Sequence, residues 1–497
     1  MLLNKKQKAE IFLYIFLKFI LNKILKREGD VLPAHILRKI DKNVFKNFAK
    51  HITSLGIPVI LVTGTNGKTT TSNIIAETVK FSGKEVCFNS NGANMTNGIL
   101  GAIIGSYKLS KSSGLGIKDI ALLDFKFSAD IIVMECDEKV FPDVCSILNP
   151  KIITATNFYR DQLDRYGEVN STVFGIKKAV KKISEELKNN NSGRISLVLP
   201  SFEPLAAFLG YDINADKKYF GFDESFFNSN YSNDINSAEN FTGIELSDAV
   251  TCPNCKNMMF SSKDRTVKRF LYNFKCEKCG FAGHEPDIKA TQNISGSLTL
   301  ELKEEKPSFF SFKPALSGDY NAANYLAAYS ILKYHLNIGD DIIKTSFENF
   351  KTKFGRSYKK KSGDFEINID LVKNPAGFSG VLKKLTESGS KVNILFAFSD
   401  RAADGRDVSW IWDVDFEKYK DYIENAVISG LRPYDMALRL KTAGMNPKKI
   451  TVEYNLKKAV ETIMNKAEAA GLNEKKIYIL PTYTELLRLK KYINGIK

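Results

Sequence analysis

Val59-Ile60-Leu61-Val62-Thr63-Gly64-Thr65-Asn66-Gly67-Lys68-Thr69-Thr70 is the stretch on which the reading of this chain turns. Four consecutive apolar residues suit a parallel strand covered on both faces. Gly64 and Gly67 let the backbone turn tightly, with N–H groups aimed at phosphate oxygens. Lys68 is spaced to reach the β- and γ-phosphates, and the Thr69 hydroxyl to hold Mg²⁺. Thr69, Thr70 and Thr71 open a helix whose N-terminal dipole favours anions. The common phosphate-loop pattern wants glycine where Val62 stands. A plain glycine turn would share the glycines, but the Lys-Thr pair at this spacing points to a nucleoside triphosphate.

Working outward, 497 residues give room for roughly two to four domains. The composition is globular, 43% hydrophobic and 26% charged, which excludes collagen-like and wholly disordered chains. A net charge of +16 suits nucleic acid, an anionic ligand or an anionic membrane surface alike. Lysine, asparagine, isoleucine and phenylalanine are spread throughout rather than gathered on one face, so nucleic acid is not expected as a partner. Seven cysteines are too few for a disulfide scaffold, and Cys87, Cys136 and Cys145 stand in apolar contexts. Reduced thiols beside a phosphate loop indicate the cytoplasm.

The run Ile11 to Leu25 is apolar but shorter than the roughly twenty residues needed to cross a bilayer. No small-residue cleavage site follows it. Lys18, Asn22 and Lys26 recur at helical spacing as a narrow polar stripe, widened by Lys23 and Arg27. Two readings stay open: a helix packed on the protein, or an interfacial helix on the inner face of the cell membrane.

Residues 1–55 read as a helical segment broken at Gly29-Asp30, with a second helix from Pro33 to about Lys50. From 56 to 350, strands and helices alternate as in a doubly wound α/β domain. Its strands after the phosphate loop are expected at Glu85–Asn89, Ile131–Met134, Ile152–Thr156 and Ile195–Leu199, with a helix over Val173–Lys188. Residues 223–241 read as a loop insertion, 246–300 as a cysteine module ending in polar strands, and Leu316–Leu336 as an Ala-rich helix. From 351 to 497 the pattern restarts as a Rossmann-like α/β domain, with strands near Ile367–Val372, Val392–Ala397, Asn425–Ile428 and Ile477–Leu480.

Three clusters carry chemistry. Cys252-Pro-Asn-Cys255 and Cys276-Glu-Lys-Cys279 are two Cys-x-x-Cys knuckles, spaced to put four thiolates around one structural Zn²⁺. Phe274, Gly280 and Phe281 fit a zinc-ribbon knuckle, and His284 is a bystander. Met134-Glu135-Cys136-Asp137-Glu138 follows a strand, where a carboxylate faces the ligand crevice and Glu135 can coordinate Mg²⁺. Asn157 to Gly167 leaves the next strand. There Arg160 suits a transferring phosphate, and Asp161 suits metal or a nucleophile.

Together these residues resemble the Mur ligase superfamily, which includes the folylpolyglutamate synthases. The resemblance implies ATP on Gly64, Thr65, Asn66, Gly67, Lys68, Thr69 and Thr70, and Mg²⁺ on Thr69 and Glu135. It implies adenine-side contacts from Leu316-Ser-Gly318-Asp-Tyr-Asn321-Ala-Ala-Asn324, with Asn157 and Arg356 completing the nucleotide set. Such enzymes phosphorylate a carboxylate and let an amine attack the acyl phosphate. Asp319-Tyr320 stands where these ligases often have His, and their N-terminal substrate domain is absent.

A closer resemblance, over almost the whole chain, is to the ligase subunits of lipid II isoglutaminyl synthases. It rests on the cysteine insertion, Asn157–Gly167, Leu371-Val-Lys-Asn-Pro-Ala-Gly377, Asp404-Gly-Arg-Asp407-Val-Ser-Trp-Ile-Trp-Asp413 and Arg432-Pro-Tyr-Asp-Met-Ala-Leu-Arg-Leu440. It implies amidation of the D-isoglutamate α-carboxylate of membrane-bound lipid II, with ammonia from a GatD glutaminase subunit. Asp404 or Asp407 would complete that partner's Cys-His pair. The chain's own four histidines lie in no recognisable nucleophile–base setting. The rival readings are a free-standing folylpolyglutamate-type ligase and a nucleic-acid-binding ATPase.

Overall fold

The computed structural model describes all residues except 1, 25–28, 90–91, 111–122, 160–168, 191–192, 224, 227–250, 258, 260–273, 293–295, 305, 352–356, 387–388, 402–403, 471–474 and 494–497. It divides into two compact units. The first comprises Met1–Phe158, Asn170–Phe241 and Ala249–Thr352, the second Tyr159–Val169, Thr242–Asp248 and Lys353–Lys497.

The first unit begins with α1 (Lys5–Phe19), continued by a π-helical turn Ile20–Ile24, then α2 (Val31–Ile40) and α3 (Val44–Ser54). The expected single helix from Pro33 to Lys50 is two helices. Asp41 adopts an extended backbone and its carboxylate accepts the Asn43 N–H at 2.9 Å, stopping α2. Gln7 and Asn4 form a capping box at the start of α1, which meets two of its orphan N–H groups.

Strand β1 (Val59–Thr63) runs into α4 (Lys68–Phe81). There follow β2 (Val86–Phe88), α5 (Thr96–Gly105), β3 (Tyr107–Leu109), β4 (Phe125–Phe127), β5 (Ile131–Glu135), α6 (Phe141–Leu148) and β6 (Ile152–Ala155). Helix Val169–Asn189 leads to β7 (Ser196–Pro200), β8 (Asp216–Phe222), β9 (Ile288–Gln292), β10 (Leu298–Leu302) and β11 (Ser308–Phe312). Helices Asp319–Tyr334 and Asp340–Glu348 close the unit.

One sheet has the order β11-β10-β9-β8-β7-β6-β1-β5-β2. Strands β2 to β9 of this sheet are parallel, and β10 and β11 are antiparallel. Every residue of β1, β5 and β6 is buried, as continuous apolar strands covered on both faces require. The chain steps outward from β1 to β5 and β2 on one side and to β6 on the other. The mouth of the sheet at β1 is therefore a topological switch point, where a crevice opens.

β8, β9 and β11 are strands that the residue pattern does not announce. Asp216–Phe222 and Ile288–Gln292 lack strict alternation and gain their place by pairing with β7 and with each other. β9, inside the span read as a cysteine module, and β10, which begins at its end, belong to the main sheet. The 223–241 insertion lies outside the described residues except for Asp223, Ser225 and Phe226.

The second unit is a six-stranded sheet, β12-β13-β17-β14-β15-β16. It is built from β12 (Ser357–Ser362), β13 (Phe365–Asp370), β14 (Val392–Phe398), β15 (Ile423–Gly430), β16 (Ile450–Val452) and β17 (Lys476–Pro481). β12 pairs antiparallel with β13 and the other strands are parallel. All seven residues of β14 are buried. Phe378, Phe396, Phe416 and Met436 fill one face, and Val460, Ile463, Ile479 and Leu489 fill the other. β12 carries Lys359, Lys360 and Lys361, a composition that hides a strand from pattern reading and protects a sheet edge.

Buried Arg439 ties this unit together. It donates to the Val414 and Ile411 carbonyls at 2.5 and 3.3 Å and to both Glu417 carboxylate oxygens at 2.8 and 2.7 Å. These bonds hold the Glu417 carboxyl down at about 2, from an ordinary 4.5. Arg439→Ala is expected to destabilise the unit by about 1–3 kcal/mol, the scale for leaving buried groups, here the Val414 and Ile411 carbonyls, without a donor. Unfolding followed by tryptophan fluorescence checks this, since both tryptophans, Trp410 and Trp412, lie in this unit. Because the folded carboxyl is depressed, its contribution is present above about pH 4.5 and lost as pH falls towards 2. Half exposure of Glu417 keeps that pH term small.

Candidate functional site

The phosphate loop hangs from the end of β1 between two neighbours. Gly64 sits at φ +117° and Gly67 at φ +86°, both in the region that favours glycine. A Cβ on Gly64 would overlap Thr156 and the Asn157 backbone, and one on Gly67 would overlap the Asn324 amide oxygen. Thr65 N–H donates to the Asn157 carbonyl at 2.8 Å and Asn66 N–H to Asn157 Oδ1 at 2.9 Å. Thr156 Oγ1 donates to the Asn66 carbonyl at 2.5 Å. Two of the N–H groups expected to face phosphate are thus used to hold the loop open. The N–H groups of Lys68, Thr69 and Thr70, in the first turn of α4, have no intrahelical partner by position and are the ones left for an anion.

The far side of the loop is braced by helix Asp319–Tyr334. Thr71 Oγ1 donates to Asn324 Oδ1 at 3.1 Å, Asn324 Nδ2 to Asn321 Oδ1 at 3.3 Å, and Asn321 Nδ2 to the Ser317 carbonyl at 2.8 Å. Asn321 and Asn324 are both buried. They reach the loop as a relay from the helix.

Glu135 ends β5 beside the loop. Thr69 Oγ1 and Asn94 Nδ2 each donate to Glu135 Oε1 at 3.0 Å. The Glu135 backbone exchanges bonds of 2.8 and 2.7 Å with the Asn89 side chain. Glu135 Oε2 is buried and has no hydrogen-bond partner. An orphaned carboxylate oxygen next to a threonine hydroxyl is a donor set that fits a hard divalent cation. Lys68 Nζ donates to Glu138 Oε2 at 2.9 Å and also to the Gly64 and Thr65 carbonyls. Burial alone would lower its pKa. The carboxylates of Glu138, Asp137 and Glu135 outweigh burial and hold it above the usual lysine value, so Lys68 stays charged.

The four cysteine sulfurs Cys252, Cys255, Cys276 and Cys279 all lie within 4.8 Å of one another. Zn–S bonds of about 2.3 Å in a tetrahedron place sulfurs about 3.8 Å apart, so the cluster fits one zinc ion. The two knuckles are built alike. Lys256 N–H donates to the Cys252 carbonyl and Gly280 N–H to the Cys276 carbonyl, each at 2.9 Å, with Lys256 at φ +64° and Gly280 at φ +73°. Phe281 packs on Phe208, Tyr211 and Phe274 at centroid distances of 5.6, 5.2 and 5.5 Å. His284 stacks on Tyr219 at 4.3 Å and is no part of the cluster.

In the second unit, the two aspartates have different surroundings. Asp404 is buried, and both its oxygens accept from Thr484, one from the backbone N–H at 2.9 Å and one from the hydroxyl. Asp407 is half-buried and accepts the Ser409 N–H at 2.8 Å, opening the short helix Ser409–Asp413.

The comparisons with known proteins agree with this geometry. The Mur ligase middle domain matches residues 62–263, and the MurT ligase C-terminal domain matches residues 371–486. Over 473 residues the chain is 30% identical to the Staphylococcus aureus lipid II isoglutaminyl synthase (glutamine-hydrolyzing) subunit MurT, covering 94% of this chain and 93% of that one. The chain belongs to the MurT family. The protein of the same name from Streptococcus pneumoniae is 28% identical, with 94% of this chain and 92% of that one covered. A pseudomurein peptide ligase type C from Methanothermus fervidus shares the fold, with TM-score 0.59 and 21% identity over 89% of this chain and 79% of that one.

Of the residues picked out for this MurT-family chain, the structure gathers Gly64 to Thr70, Glu135, Asn157, Asn321 and Asn324 around one loop. Arg160, Asp161 and Arg356 lie outside the described residues. Glu138, Asn94, Asn89 and Thr156 were not foreseen. Glu138 was legible in the acidic run after β5, but the other three carry no signal beyond their residue type. Gly67→Ala is expected to cost about 1–3 kcal/mol, through an unfavourable φ and overlap with Asn324. Adding Asn324→Ala should restore part of that loss. A thermal-unfolding double-mutant cycle reads the coupling, and strict additivity would refute the clamp.

Proposed function

We propose that the chain is the ligase subunit that amidates the α-carboxylate of D-isoglutamate in lipid II, using ATP and ammonia from a GatD-type glutaminase subunit. The names of its MurT-family relatives support the substrate, and the orphaned Glu135 oxygen beside Thr69 and Lys68 supports the chemistry. Thr69 and Glu135 would hold Mg²⁺, which when bound neutralises charge on the triphosphate.

Lys68 leaves the loop carbonyls and Glu138 for the β/γ-phosphate oxygens. A substrate carboxylate oxygen attacks the γ-phosphorus and ADP leaves. Lys68 and the N–H groups at the start of α4 stabilise the transferring charge. Arg160 and Arg356 are assigned to the same task, and Asp161 to the substrate or metal. Ammonia then attacks the acyl carbon and phosphate departs, leaving the amide.

The need for an outside ammonia source rests on what the thiols and imidazoles do. Burial pushes Cys87 and Cys145 up to about 12 and Cys136 well above its usual value. His51 bonds Tyr107 at 2.8 Å, His35 meets Asn97 at 3.2 Å, and His284 stacks on Tyr219. His335 is half-buried with no bonded partner for Nε2. None of these is an activated Cys-His pair of the kind glutamine hydrolysis needs. Of the two aspartates, Asp407 is the one offered to a partner's histidine, because Asp404 is committed to Thr484.

In the complex with its glutaminase, Lys68→Ala is expected to lower amidation by about a thousandfold or more, while glutamine hydrolysis by the partner persists. Amidation at the wild-type rate would reject the assignment. The four cysteines are assigned to one structural zinc per chain. Elemental analysis should find it in the wild type and lose it in Cys255→Ser/Cys279→Ser, with lowered thermal stability.

A further inference from the structure

Helix α1 is built in reverse of an ordinary surface helix. Its buried side carries Gln7, Glu10 and Tyr14 with Ile11. Gln7 Nε2 donates to the Asn47 carbonyl at 3.1 Å, Tyr14 OH donates to Asp30 Oδ1 at 2.8 Å, and Lys18 pairs with the same aspartate. The lysine read from sequence as part of a narrow polar stripe is therefore engaged with the protein. The outward side is apolar, with Ile15 42%, Phe16 50%, Phe19 56% and Ile24 66% exposed.

Helical geometry sharpens this picture. Lys5, Ala9, Phe12, Phe16, Phe19 and Lys23 follow one another at spacings of four and three, so they share one face. The face is a strip of phenylalanines with an exposed lysine at each end. From Lys5 to Ile24 it runs about 30 Å. Among the described residues, no helix is long and apolar enough to cross a membrane.

We infer that α1 lies flat on an anionic phospholipid surface and docks the chain there, an inference that rests on the proposed function for its lipid-linked substrate. The rings enter the boundary between headgroups and acyl chains, and the terminal lysines meet lipid phosphates. Charge selects this occupant over a second copy of the chain. Two such faces packed together bring lysine against lysine in either orientation, whereas anionic headgroups bring the opposite sign to both ends.

The test uses the full chain with its glutaminase and two vesicle types, phosphatidylcholine alone and phosphatidylcholine mixed with phosphatidylglycerol. The wild type should co-sediment with the mixed vesicles, less so as salt rises. Phe16→Ser/Phe19→Ser should bind about a hundredfold more weakly, and Lys5→Gln/Lys23→Gln should weaken binding to the anionic vesicles alone. The phenylalanine variant should lose at least about tenfold in amidation of vesicle-borne lipid II, yet match the wild type on the same muropeptide without its lipid. Equal sedimentation of wild type and both variants overturns the inference, as does a phenylalanine variant that changes oligomeric state but not vesicle binding. Loss of amidation on both substrates by the wild type would instead sink the proposed function, leaving the vesicle result to stand by itself.

Discussion

The loop Gly64–Gly67 is clamped from both sides, and each clamp works only because a side chain is missing. Thr156 and Asn157 press on Gly64 from the end of β6, and Asn324 presses on Gly67 from the helix behind α4. The first contact follows from sheet order. β6 and β5 are the two neighbours of β1, so whatever follows each of them must flank the loop. That same order delivers the Glu135 carboxylate to the opposite side of the loop. The site is thus a product of the switch in winding direction at β1, and its residues come from five separated parts of the chain.

Lys68 is buried against the Glu138 carboxylate, and Glu135 and Asp137 also lie close enough to favour its charged form. Burying a carboxylate oxygen without a partner, as Glu135 Oε2 is buried, is costly, and under the proposed function a divalent cation would meet it. Burial pushes the Glu138 pKa up in spite of Lys68. Under the proposed function Lys68 would leave Glu138 for a phosphate, and Glu138, losing its closest counter-charge, would become easier still to protonate. Glu138 would then serve as a placeholder, holding the lysine in line until the nucleotide binds.

The phosphate loop, Glu135 and the two cysteine knuckles were legible because each is a local pattern dictated by its chemistry. Tight turns demand glycine, metals demand sulfur at fixed spacing, and strand ends present carboxylates. β1, β5, β6 and β14 were legible as predominantly apolar runs. Less visible was everything that acts only through pairing in space. Asn94 looks like any loop asparagine, and Asn89 like the end of a strand, until β5 arrives beside them. β12 is mostly lysine and serine, and becomes a strand only against β13. The direction of α1 was invisible for a related reason: its polar stripe fits either a packed or an interfacial helix, and only Asp30, pairing with Lys18, shows which side faces the protein.

The cysteine module follows from a problem of connection. β8 and β9 are adjacent and parallel, so the chain must cross back over the sheet between Phe222 and Ile288. That task usually falls to a helix, which buries an apolar stripe along the way. The described part of this crossover offers little apolar surface, chiefly Phe226, Phe274 and Phe281, and a patch that small cannot order two knuckles by itself. The zinc assigned to the cluster under the proposed function would supply the missing order at its four thiolates. The knuckles rest on Phe208 and Tyr211, with the Lys256 amine over the Phe174 ring at 4.4 Å. A metal in this position would do what a crossover helix does elsewhere, fixing the return path so that β9, and through it β10 and β11, can pair in register.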